Sequence, residues 1–88
     1  MTVITKLTDR FTEADIDQEI VIMRLDNGEF FSLSGTATKL WRLIDGTRDE
    51  EAIVVAAASE YSADESEIAA DVHEFVGCLR AMGLLAVR

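Results

Sequence analysis

Apolar and polar positions change period along this chain, and the change divides it into strands followed by helices. Val3, Ile4, Thr5 and Leu7 make residues 2–7 a first strand, because β-branched and apolar side chains suit a pleated surface. Residues 8–19 carry five acids and only Phe11 and Ile16 as apolar anchors, so they read as a connecting loop. Residues 20–25 (Ile-Val-Ile-Met-Arg-Leu) are a second strand, and Asn27-Gly28 then signals a hairpin, since both residues tolerate the positive φ of a type I′ turn. Glu29, Phe30, Phe31, Ser32 and Leu33 return as the third strand. A two-residue turn would place Leu25 opposite Phe30, Arg24 opposite Phe31, Met23 opposite Ser32 and Ile22 opposite Leu33. One face then holds Val21, Met23, Leu25, Phe30 and Ser32, the other Ile20, Ile22, Arg24, Phe31 and Leu33. Both are largely apolar, so periodicity leaves open which one meets the helices.

Helical spacing begins at Thr36. Ala37, Leu40, Trp41 and Ile44 form one stripe over residues 36–45, stopped by Gly46. Thr47 with Glu50, and Ser62 with Glu65, have the spacing of capping boxes, each satisfying two orphaned backbone N–H groups. They open a second helix over 48–60, with Ile53, Val54, Ala57 and Tyr61 inward, and a third from about residue 63. In the third, Ile68, Val72, Phe75, Leu79 and Met82 face inward, and Gly83 leads into a short apolar tail. Three N-terminal antiparallel strands followed by three helices make an α+β chain, similar in outline to a winged helix-turn-helix. With no proline and no low-complexity stretch, residues 1–88 read as a single domain.

Composition narrows what such a domain can do. Seventeen acids against eight bases give a net charge of −9, which repels phosphate backbones and anionic lipid, so neither nucleic acid nor membrane is an expected partner. The third helix would be the recognition helix of a DNA-binding protein, yet it carries Asp64, Glu65, Glu67, Asp71 and Glu74 against Arg80. The lone Cys78 forms no internal disulfide, and the N-terminus lacks a signal-peptide layout, so a cytoplasmic protein is expected. Metal sites need converging ligands, whereas His73 and Cys78 stand five apart on different sides of a helix. Cys78 reads as a small apolar filler with nothing to activate it, and single glycines make no phosphate-cradling loop. No catalytic residues, metal or cofactor are expected. An acyl or peptidyl carrier shares the size and charge, but its Asp-Ser-Leu attachment motif is missing. A carrier-like protein and an acidic protein-interaction module stay open as alternatives.

Phe30-Phe31-Ser32-Leu33, then Thr36-Ala37, then Leu40-Trp41-Arg42-Leu43-Ile44-Asp45-Gly46, resembles the core signature of the PqqD-like family. Asp71-Val72, Phe75, Leu79 and Gly83-Leu84-Leu85 resemble its closing signature, so the likeness spans residues 20–87. It implies a RiPP recognition element, a non-catalytic domain that binds the leader of a ribosomally made precursor peptide and delivers it to modifying enzymes. It further implies that the leader adds as a β-strand to the third strand and lies against the third helix. Carried over residue by residue, the peptide-binding positions are Glu29, Phe30, Phe31, Ser32 and Leu33 on the strand, with Asp71, Val72, Phe75, Cys78 and Leu79 on the helix. The pyrroloquinoline quinone branch usually has Pro-Glu after that strand, and this chain has no proline. Leu33-Ser34-Gly35-Thr36-Ala37 and Leu40-Trp41 instead look like the free-standing elements of lasso-peptide pathways, whose companions are a cysteine-protease leader peptidase and a macrolactam synthetase. Ser34, where many relatives have Asn or Asp, is expected to cap the first helix. On this reading Phe31→Pro should remove a donor from the binding edge.

Overall fold

Residues 8–19 are not a loop. In the computed structural model, which describes residues 2–88, they contain a strand, and β1 (Ile4–Lys6), β2 (Phe11–Ile16), β3 (Glu19–Arg24) and β4 (Phe30–Leu33) precede the helices. α1 (Thr36–Leu43), α2 (Glu50–Tyr61) and α3 (Glu65–Ala81) follow, and β5 (Leu85–Val87) closes the chain. The three-stranded antiparallel sheet has the order β2-β3-β4. β1 belongs elsewhere, pairing antiparallel with β5 through Ile4–Val87, Thr5–Ala86 and Lys6–Leu85. The α+β outline of three antiparallel strands followed by three helices therefore holds, with β2 in the place expected for residues 2–7.

β2 hides from a pattern reading because its acids Glu13 and Asp15, though exposed, stand on the side of the sheet that faces the helices. Pairing of Phe11 with Arg24, Glu13 with Ile22 and Asp15 with Ile20 puts those residues on the face that meets the helices. Glu13 there accepts from the Trp41 indole N–H (3.0 Å) and Asp15 from the Arg42 guanidinium (2.7 Å), so both acids have partners from α1. The β2–β3 turn carries no glycine either. Asp17 (φ 49°) and Gln18 (φ 69°) adopt the left-handed conformation themselves, a conformation Asp tolerates better than most side chains.

The β3–β4 hairpin is longer than its Asn-Gly signal suggests. Met23 opposes Phe30, Val21 opposes Ser32, Ile22 opposes Phe31 and Ile20 opposes Leu33, two residues out of the expected register. Gly28 does supply a positive φ (73°), but it ends a four-residue connection in which its N–H donates to the Arg24 carbonyl. A slip of two leaves every side chain on its expected face. Ile20, Ile22 and Leu33 are buried, which settles that their face meets the helices, while Met23 and Phe30 look outward.

The helix starts also shift. Asp49 caps α2 by accepting from Ala52 N–H (2.8 Å), while Thr47 donates its hydroxyl to Asp45 (2.6 Å). Asp64 caps α3 through Ser66 N–H (3.0 Å), and Ser62 instead ends α2 in the left-handed region. Carboxylates at these positions complement the positive helix end as well as bonding it. α1 has Gly35, not Ser34, at its N-cap, and no side chain bonds there; at φ 59°, ψ −128° the position suits glycine. Beneath the sheet, Trp41, Ile22, Ile44, Ile53, Leu84 and Val72 form the most deeply buried part of the core. Phe11 meets Trp41 edge-on at 5.3 Å, which binds α1 under the β2 side of the sheet.

Candidate functional site

β4 has β3 on one side and no strand on the other among the described residues, because β1 is taken up by β5. Such an edge leaves backbone donors and acceptors without ladder partners. The Arg24 N–H donates to the Glu29 carbonyl at 2.8 Å, and bonded and non-bonded pairs alternate along an antiparallel ladder. Ile22–Phe31 and Ile20–Leu33 are thus the bonded pairs, and Phe30 and Ser32 turn their N–H and C=O groups to the free side. Phe31 directs its N–H toward β3, so a proline there would break the internal ladder rather than the open edge. Ser32, like Phe30, is a position whose N–H can be removed without touching that ladder.

Side chains along this edge divide between two environments. Phe30 is 73 % exposed on the outer face, beside Met23, and Ser32 follows it there. Phe31 is half-buried against the core, and Leu33 is buried. Glu29 lies opposite Arg24 just before β4, its N–H held by the Asn27 side chain at 3.0 Å.

On α3 the expected residues fall on two adjoining stripes. Val72 and Leu79 are buried with Ile68 and Val76. Asp71, Phe75 and Cys78, spaced four and three apart, share the neighbouring stripe, on which Phe75 is half-buried and the other two are exposed. Cys78 is therefore a surface thiol rather than an apolar filler. The opposite flank carries His73 and Arg80, which with Glu50, Ile4 and Val87 line a cavity beside the β1–β5 ribbon. Hence the Asp71–Phe75–Cys78 flank turns away from that ribbon. Val72 and Leu79 offer almost no surface and support Phe75 from below. Phe30 and Met23 as an exposed pair were not separable from core by pattern alone, because both faces of the hairpin are apolar.

Among the described residues no three His, Cys, Asp or Glu side chains cluster to hold a metal ion. No described helix is long and apolar enough to cross a membrane. What the site offers is an unfilled row of main-chain groups between an exposed aromatic and a half-buried one.

A family model described as coenzyme PQQ synthesis protein D (PqqD) matches residues 19–85, which takes in β3, β4 and all three helices. The chain belongs to the PqqD family. Among solved structures, that of TbiB1 in complex with the TbiA(beta) leader peptide is 32 % identical, covering 92 % of this chain and 94 % of that one with a TM-score of 0.81. A lasso peptide synthetase B1 complexed with the leader peptide shares the fold at a TM-score of 0.81, with 18 % identity over 94 % of this chain and 96 % of that one. No curated protein matches the chain. In PqqD family terms, the matched stretch contains both the open edge and the α3 flank, while β1 and β2 precede it.

Proposed function

We propose that this protein is a RiPP recognition element of the lasso-peptide type: it binds the leader of a precursor peptide by strand addition to β4 and performs no reaction itself. The observation that carries this reading is the outward main-chain row at Phe30 and Ser32 on an edge that no strand occupies among the described residues. A relative 32 % identical, solved with a leader peptide, supports the same reading.

Strand addition is a general mode of peptide capture, in which main-chain bonds supply affinity and alternate side chains supply selection. Two outward residues can exchange four hydrogen bonds with an incoming strand, each worth about 1 kcal/mol net. A micromolar complex needs about 8 kcal/mol beyond the cost of ordering the leader. Apolar anchors must make up the difference, at roughly 1.5–3 kcal/mol for each buried side chain. Leader residues alternating with those over Phe30 would point inward, toward Phe31 and, across the edge, the Phe75 flank of α3, with Asp71 and Cys78 at the rim. The loaded leader would then be handed to a cysteine-protease leader peptidase and a macrolactam synthetase, as a cytoplasmic step.

The test is titration of the isotope-labelled protein with synthetic leader peptides of candidate precursors, the TbiA(beta) leader among them. Backbone amide shifts concentrated at residues 30–33 and 71–79, with peptide mass unchanged after incubation, are expected. Shifts centred on β2 or on the β1–β5 ribbon, with β4 unmoved, would overturn strand addition to this edge.

A further inference from the structure

Away from the β4 edge, where β1 and the segment after it meet α1 and its C-terminal exit, lies another cleft. A cavity of about 320 Å³ is lined by Thr5, Lys6, Thr8, Arg42, Ile44 and Asp45. The Lys6 ammonium sits 4.2 Å from the centre of the Trp41 ring, half-buried, and makes no hydrogen bond or ion pair among the described residues. Its two acidic neighbours are engaged elsewhere: Glu13 accepts from the Trp41 indole, and Asp45 is bonded to the Thr47 hydroxyl and N–H and paired with Arg48 at 2.8 Å. Arg42 uses one terminal nitrogen on Asp15. A guanidinium has five N–H donors, so one bridge leaves others for a ligand. Two cations and two threonines therefore border one small opening, with one acid, Asp45, whose carboxylate is occupied by Thr47 and Arg48, in a chain of net charge −9.

We infer that this cleft is a carboxylate-binding site, taking a Glu or Asp side chain of a protein partner. A planar carboxylate can accept from an ammonium, a guanidinium and hydroxyls at once, and charge-assisted bonds of this kind are the strong ones. Burial already lowers the pKa of Lys6, against the opposing pull of Glu13 and Asp45, so the ammonium gains from a partner that replaces lost solvation. The surrounding acids repel an anionic surface as a whole and favour a single acidic side chain presented by a neutral or basic segment. Because the cleft is lined from β1, Thr8 and α1 and shares no residue with the proposed leader edge at β4, the two sites can be filled together.

Trp41, the only tryptophan, reports on Lys6 directly. The experiment follows its indole N–H and the amides of Thr5, Lys6 and Thr8 at constant ionic strength. Sodium acetate, the capped peptide acetyl-Gly-Glu-Gly-Glu-Gly-amide and inorganic phosphate are added in separate titrations. Saturable shifts with acetate and tighter ones with the peptide are expected, weakened about tenfold or more in Lys6→Gln and restored in part in Lys6→Arg. Asp15→Ala, which removes the internal acceptor of Arg42, should tighten binding. A drift no different from that with sodium chloride, or saturation undiminished in a folded Lys6→Gln, would overturn the site. Saturation by phosphate alone would overturn the carboxylate assignment. Lys6→Gln should bind the leader as the wild type does, so failure here and failure at β4 are separable.

Discussion

The Trp41 indole N–H donates to the Glu13 carboxylate at 3.0 Å, tying α1 to β2 across 28 positions of chain. Trp41 is fully buried, so its one polar atom depends on this acceptor. Glu13→Leu should destabilise the fold by about 1–3 kcal/mol, the cost of a buried donor left without a partner. Glu13→Gln keeps an acceptor oxygen and should lose much less. Urea denaturation of the two variants checks the contrast, and equal losses would mean that the bond carries little.

That same bond explains why β2 is not legible in the sequence. An acid on the inward face of a strand contradicts simple alternation, and its partner lies far away in the chain. The β1–β5 pairing is hidden for a related reason, since neither short segment names the other. By contrast Gly28 and the apolar runs around it were legible as a hairpin, and a two-residue error in register left the faces intact. The stripes of α1, α2 and α3 were legible because burial repeats along each helix. Their caps were not, because Asp49 and Asp64 outcompete the hydroxyls of Thr47 and Ser62 two residues earlier. At the candidate site the resemblance supplied the strand, but only the ladder distinguishes Phe30 and Ser32 from Phe31.

Proline substitution separates those two sets. Ser32→Pro should keep the β3–β4 ladder and weaken leader binding, since it removes an outward donor worth about 1 kcal/mol or roughly fivefold in affinity. Phe31→Pro should lower stability because it breaks the Ile22–Phe31 pair. Thermal melts and leader titration on both variants check this. Equal leader affinity of Ser32→Pro and wild type would argue against strand addition.

Phe30 isolates binding from folding. It is 73 % exposed, so Phe30→Ser should change stability by no more than about 0.5 kcal/mol. A leader strand laid beside it would cover the ring, and its loss should weaken the complex about threefold to tenfold, given the usual worth of a cross-strand aromatic pair. Calorimetric titration measures the affinity, and denaturation the stability. Leu79→Ala provides the contrast: at 2 % exposure it should cost about 2–5 kcal/mol of stability.

Asp49 anchors α2 through its bond to the Ala52 N–H. Asp49→Ala should cost about 1 kcal/mol, and Asp49→Ser, which still caps, considerably less. Because α2 packs mainly on α3 and α1, the loss should appear in the melting temperature with leader affinity retained. A parallel loss of affinity would indicate that the edge depends on α2.

Acid should weaken the fold through two exposed carboxylates. The Thr47 hydroxyl and N–H hold Asp45 below the ordinary value of 3.8, and the Ser66 N–H and hydroxyl do the same for Asp64. For a carboxylate whose pKa is lower folded than unfolded, the stabilisation is complete above the unfolded value and disappears as pH falls through the folded one. The window is therefore acidic, below about pH 4. Exposure to solvent keeps each contribution small, and the falling negative charge of the whole chain opposes the trend by relieving self-repulsion. Asp64→Asn distinguishes the two effects, since its amide oxygen can still cap α3 but does not titrate. Melting temperature followed from neutral pH down to about pH 2 should fall less steeply for Asp64→Asn than for the wild type. Parallel curves would mean that the Asp64 cap is not linked to protonation.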